Sequence, residues 1–258
     1  MATIKIKYFC SGKCSGKKLF FFCDVILFLK SKFFLFTNYI ITEVKFFMKV
    51  LLINGSPNEK GCTFTALSEV ANSLNKNGIE TEIFWIGKKA VQGCIACFKC
   101  TELGHCIFND DVTKLTARLD EFDGFVIGSP VYYAGPAGSL CAFLDRFFFS
   151  GDSSANKSTF ANKPAACVVS CRRGGASAAF DRLNKYFTIK NMPVVSSQYW
   201  NQVHGFTPED VRKDLEGMQT MRTLGENMAW MLKSIKTGKE AGISEPELEE
   251  IVFTNFIR

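Results

Sequence analysis

The chain has no uninterrupted run of about 20 apolar residues, the length a helix needs to cross a bilayer. Its nearest approach, within residues 19–47, is broken by Asp24, Lys30 and Lys32, and each such charge costs about 2.5–3.5 kcal/mol at the centre of a span. Neither G-K-[ST] nor G-x-G-x-x-G occurs, which excludes a P-loop and a dinucleotide fingerprint. There is no small-residue cleavage site after the apolar stretch, so a cleavable secretion signal is not read. Internal repeats are missing too. Histidine is reduced to His105 and His204, both read as structural.

Net charge is missing from most of the chain. The formal +6 lies in residues 1–47, which hold eight of the 31 Lys+Arg and only Asp24 and Glu43 of the 25 Asp+Glu. Residues 48–258 therefore carry 23 of each sign, and such a neutral body gives no case for nucleic-acid binding. The leader 1–47 also holds ten of the 26 Phe and no Pro, without helical or strand period. Phe, Lys, Ile, Asn and Tyr have A/T-rich codons, as translated upstream DNA would, and Met48 directly precedes a clean first strand. The leader is read as non-native or dispensable, with a membrane anchor as the alternative. Residues 48–258 are read as one domain, cytoplasmic, with its eight cysteines as reduced thiols.

In that body apolar runs alternate with helical periods. "KVLLING", "GFVIGSP" and "PAACVVSC" predict parallel strands buried on both faces. "IETEIFWI" predicts a less central strand, and "MPVVSSQYW" a fifth. Between them lie three predicted helices. The first carries Leu67, Val70 and Leu74 on one face and stops at Gly78. The second has Pro136 in its first turn and Leu140, Phe143 or Leu144, and Phe147 inward. In the third, Ala179, Leu183 and Tyr186 or Phe187 are in phase. A long helix follows, with Thr207 as N-cap, Pro208 at N1 and Asp210 completing a capping box. Its inward stripe is Val211, Leu215, Met218, Leu224, Met228, Leu232 and Ile235. The apolar tail "EPELEEIVFTNFIR" is expected to dock on the domain or on a partner. This order argues for a doubly wound α/β fold, a five-stranded parallel sheet with helices on both faces.

Ligands of such sheets bind beyond the carboxyl ends of the strands, and three loops should meet there. "GSPNEKGCT" offers backbone N–H groups and the hydroxyls of Ser56 and Thr63 to a phosphate. "GSPVYYAGPAG" puts Tyr132 and Tyr133 on a rigid turn suited to a flat ring. "SCRRGGAS" joins close backbone approach at Gly174 and Gly175 to the cations Arg172 and Arg173. Together the loops resemble those of the flavodoxin-like NAD(P)H-dependent FMN reductase family, from Met48 nearly to Arg258. The chain departs from the family at Asn58 and Cys62, where Arg and Asn are frequent.

The resemblance implies FMN, with its phosphate on Ser56, Asn58, Thr63 and the first loop's amides. It places Pro130, Val131, Tyr132 and Tyr133 along the ring, and Cys171, Arg172, Gly174 and Gly175 at the pyrimidine edge. It implies hydride transfer from NAD(P)H to flavin N5 and electron delivery to a small-molecule or protein acceptor; the long helix and tail beyond the five-stranded core suggest the interface of a homodimer or higher homo-oligomer. No side chain need act as general base. The other classes weighed are a flavodoxin-type electron carrier without its own NAD(P)H turnover and a redox sensor using thiols as its output.

"GCIACFKCTELGHC" places Cys94, Cys97, Cys100 and Cys106 in thirteen positions. So compact a run favours iron–sulfur ligation over zinc, whose ligand pairs usually lie a dozen or more residues apart. It is similar to the compact cysteine motif of iron–sulfur flavoproteins, which implies a [4Fe–4S] cluster. Idle or redox-active thiols remain the alternative reading.

Overall fold

The computed structural model describes residues 48–152 and 159–247, together with 249, 252 and 254. The leader and most of the C-terminal tail lie outside the described residues, and so do the expectations attached to them. Every element below belongs to one unit, Phe46–Arg258.

Strand β1 (Lys49–Asn54) leads into helix α1 (Cys62–Lys76) and then strand β2 (Glu80–Trp85). The cysteine segment follows, with short helices α2 (Lys99–Leu103) and α3 (Asp111–Thr116). Next come β3 (Gly124–Tyr132), the two-residue β4 (Gly135–Pro136) and helix α4 (Gly138–Gly151). Strand β5 (Ala165–Cys171), helix α5 (Ala176–Thr188), strand β6 (Gln202–His204) and helices α6 (Pro208–Lys213) and α7 (Leu215–Glu240) complete the order.

Five strands pair in parallel in the order β2-β1-β3-β5-β6, while β4 pairs antiparallel with the end of β3. This is the flavodoxin-like doubly wound order. Successive side chains of a strand face opposite ways, so β1 feeds two cores. Leu51 and Ile53 join Phe125, Ile127, Cys167 and Val169 under α4 and α5. Val50 and Leu52 join Val126, Ala166 and Val168 under α1 and α7. β2, only partly buried, is the edge expected from its alternating pattern.

Three details differ from the sequence reading. The fifth strand is not 192–200. That segment touches β5 through one bridge, Ala165 to Val194. It then turns out at Ser197, whose hydroxyl lies 2.6 Å from Tyr199 O and 2.8 Å from Asn201 Oδ1, and rejoins the sheet only as β6. Pro136 lies in β4 instead of a helix turn, because Ser129 Oγ holds the Ala137 N–H at 3.0 Å and delays the helix to Gly138. The capping box of Thr207 and Asp210 is present, but the long helix breaks at Asp214. Its carboxylate accepts from the His204 and Gly217 N–H groups and so starts α7 anew. Leu215 falls in that first turn and is exposed, not inward.

Candidate functional site

The first loop is braced from the strand that precedes it. Asn54, fully buried, accepts from the Ser56 N–H at 3.1 Å and donates to Glu59 O at 2.9 Å. Ser56 Oγ accepts from the Asn58 N–H at 3.1 Å, and Trp85 Nε1 donates to Ser56 O at 2.8 Å. Gly55 N–H reaches Gly128 O at 2.9 Å and ties the loop to β3. Gly61 caps α1 with no side chain on its first turn, so the helix offers its first N–H groups, and its dipole, to an anion. Thr63, buried, shares a 2.8 Å hydrogen bond with Ser170 at the end of β5.

The second and third loops touch. Tyr133 and Ala134 are consecutive left-handed residues, φ 50° and 58°, a conformation costing about 1–2 kcal/mol each without glycine. The turn leaves Tyr133 fully exposed and Tyr132 half-exposed. Gly175 has φ +88°, and a Cβ there would stand 2.7 Å from Ala134 Cα and 3.1 Å from Val131 Cγ1. Only glycine permits both the turn and that approach. Pro130 and Val131 are half-buried, Arg172 and Gly174 exposed, Cys171 buried. Burial pushes the Cys171 thiol up, which keeps it protonated at neutral pH.

The structure thus brings together the strand ends and loops that carry Ser56, Thr63, Val131, Gly175 and their neighbours. Asn58 is exposed, and its backbone N–H is bonded to Ser56 Oγ within the loop. Asn54, Trp85, Ser129 and Ser170 were missed in the sequence. A buried polar residue closing an apolar strand was the available signal for three of them. Of the histidines, His105 Nδ1 bonds the Cys106 carbonyl at 2.9 Å, and the His204 ring lies 3.7 Å from Asp214.

The four cysteines line one cavity with Ile95, Phe98, Ile107, Phe108, Phe149 and Arg146. Cys94 and Cys97 are exposed, Cys106 half-buried, Cys100 buried. The backbone between them is bent by left-handed Ala96 and Phe98, φ 51° and 57°. Among the described residues no three His, Cys, Asp or Glu side chains converge on a single metal ion. Arg146, on the largely apolar inward side of α4, is 1 % exposed. It donates from Nε to Cys106 Sγ at 3.2 Å, to Gln92 O, and twice to Asp110 at 2.6 and 2.8 Å. Burial opposes charge on Asp110, but the bonds from Arg146 outweigh it and hold the carboxyl below its usual range.

A model of the family described as NADPH-dependent FMN reductase matches residues 48–207. The chain belongs to that family. An iron–sulfur flavoprotein of Methanocaldococcus jannaschii is 34% identical over 196 residues, covering 73% of this chain and 100% of the relative. One of Methanosarcina thermophila is 24% identical over 197 residues, covering 75% and 100%. Among solved structures, RosB with a bound riboflavin-5'-phosphate derivative aligns at TM-score 0.58 and 14% identity, over 82% of this chain and 94% of that one. A flavone reductase aligns at 0.55 and 18%, over 73% and 64%. At these identities the structural likeness speaks for the fold. This member of the NADPH-dependent FMN reductase family is a flavin-binding redox protein, an oxidoreductase or electron carrier. Among the described residues no helix is long and apolar enough to cross a membrane.

Proposed function

We propose that the protein is an FMN-dependent oxidoreductase that also carries a [4Fe–4S] cluster on Cys94, Cys97, Cys100 and Cys106. NAD(P)H is the electron donor in this reading, and a small molecule or protein the acceptor. The observation that carries it is that all four thiols line one cavity, among mostly apolar side chains and beside a buried cation. Four cysteinates are the usual ligand set of such a cluster, and the relatives' names support it. FMN fits the three loops on their own chemistry: an uncapped helix start, two buried hydroxyls and a glycine-limited contact between the second and third loops.

When bound, FMN supplies two-electron and one-electron chemistry and the cluster supplies one-electron chemistry. The residues bind, orient and tune. Ser56, Thr63 and the first amides of α1 hold the phosphate. Pro130 to Tyr133 line the ring, and the backbone from Cys171 to Gly175 follows its polar edge. Helix α4 begins where the ring loop ends and carries Arg146 eight residues on, about 12 Å along its axis, so one rigid element serves both sites.

A carrier without its own NAD(P)H turnover is the second reading, favoured by relatives named as flavoproteins and not as reductases. Anaerobic purification with flavin, iron and sulfide analysis tests the cofactor content. One FMN and about four irons per chain are expected; negligible iron and sulfide after anaerobic reconstitution would reduce the loop to thiols. Bleaching of the flavin band by NADPH or NADH, against reduction only by a low-potential protein donor, separates reductase from carrier.

A further inference from the structure

Arg146 is the largest fully buried side chain in the described structure, and it is charged. Its neighbours on α4, Phe143, Leu144, Phe147 and Phe148, are all buried hydrophobics. A buried ion pair of this kind is often no more stabilising than an apolar residue of similar size, so packing alone does not account for a cation here. The placement of its donors does. One edge of the guanidinium grips Asp110 with two parallel bonds, while a further N–H holds Gln92 O. Nε–H is directed at Cys106 Sγ, 3.2 Å away, and the Phe108 ring lies 4.8 Å from the guanidinium carbon. A thiol is a weak acceptor. A charged sulfur is a strong one, and a hydrogen bond from a cation to it is roughly twice a neutral bond in strength.

We propose that Arg146 is a positioning residue of the cysteine site, fixing the Cys106 sulfur at the cavity wall and setting the reduction potential of the cluster there. The inference rests on the cluster reading above. A reduced cluster carries one more negative charge than an oxidised one, so a cation and donor at a ligating sulfur favour reduction. Asp110 opposes Arg146 from the other side: its carboxylate offsets part of the cation's charge. The two residues therefore have opposite effects on the potential, which loosened packing would not produce.

The test is a redox titration of the cluster in the anaerobically purified full chain, with the flavin potential and iron content read in the same samples. Arg146→Met removes both charge and donor and leaves Asp110 unbalanced. The reduction equilibrium is expected to fall at least about tenfold, a downward shift of about 59 mV for one electron. Arg146→Lys keeps the charge and loses the planar donor, so its shift is downward and smaller. Asp110→Asn is expected to shift the potential upward. Asn retains the helix cap that Asp110 gives to the Val112 and Thr113 N–H groups. If Arg146→Met sheds its iron, the Lys and Asn variants decide between them. Unmoved potentials, or shifts of one sign in both the Arg146 and Asp110 variants, would overturn the role of Arg146 while leaving the cluster standing. A parent chain with negligible iron and sulfide would remove the cluster reading and this inference with it.

Discussion

The segments 54–63 and 93–110 lie beside the same sheet, and they are fastened in opposite ways. The first loop is tied by its own strand and its neighbours: Asn54, Trp85, Gly128 and Ser170 hold it by hydrogen bonds. The cysteine loop has its main polar tie to the helices through one side chain, Arg146, and keeps two of its thiols exposed. The first loop ends at the uncapped start of α1, whose N–H groups suit a bound anion. The second holds a donor set with strained residues at Ala96 and Phe98, strain that a bound group can repay. On the proposed reading, one site is finished by the fold and the other by its ligand.

The largest expected effect breaks the second loop alone. Cys97→Ala should reduce iron from about four per chain to a small fraction while FMN content stays unchanged, read by metal analysis and flavin absorbance. Loss of both would mean that the two sites fold as one. The next breaks the flavin side alone. Gly175→Ala forces a side chain into φ +88° and against the Ala134 backbone, a strain of about 1–3 kcal/mol. FMN affinity should fall about tenfold or more in a fluorescence titration, with iron retained. Ser56→Ala and Thr63→Ala sharpen the phosphate assignment, each losing about 1.5–3 kcal/mol of hydrogen bonding to a charged acceptor; unchanged affinity in both would move the phosphate elsewhere.

The smallest effect lies at the sheet edge, remote from both loops. Bonds from Arg118, then from Lys49, hold the Glu82 carboxyl down to about 2 against the opposing effect of burial. A depressed folded-state value stabilises the protein above the ordinary glutamate range near 4.5, and that stability is lost as pH falls toward about 2. Glu82→Gln should lower stability at neutral pH by about 1 kcal/mol and flatten the acid limb of a denaturation profile across that window. Both cofactor contents should stay as in the parent.

Much of this was legible in the order of residues. Buried strands declared themselves as "VLLIN", "FVIGS" and "ACVVSC" because a strand covered on both faces has no polar side to show. The first-loop hydroxyls and the double glycine were readable from the chemistry of strand-to-helix turns. The fifth strand was not, since Val194 and Val195 have the pattern of a strand but make a single bridge before Ser197 turns the chain out. Asn54 left only a weak signal, a polar residue closing an apolar strand, and Arg146 escaped because its role shows only when its partners are known. For Arg146 those partners lie 36 to 54 residues away along the chain. Its position three residues after Phe143, on the inward face of an apolar helix, was the one clue in the sequence.

The most direct test of two cofactor sites in one domain is an anaerobic NADPH titration of the purified protein, with visible absorbance and low-temperature electron paramagnetic resonance recorded on the same sample. Bleaching of the flavin band together with a paramagnetic signal from the reduced cluster, in protein holding about four irons per chain, is the expected result. Flavin bleaching with no such signal, in protein free of iron and sulfide, would contradict it.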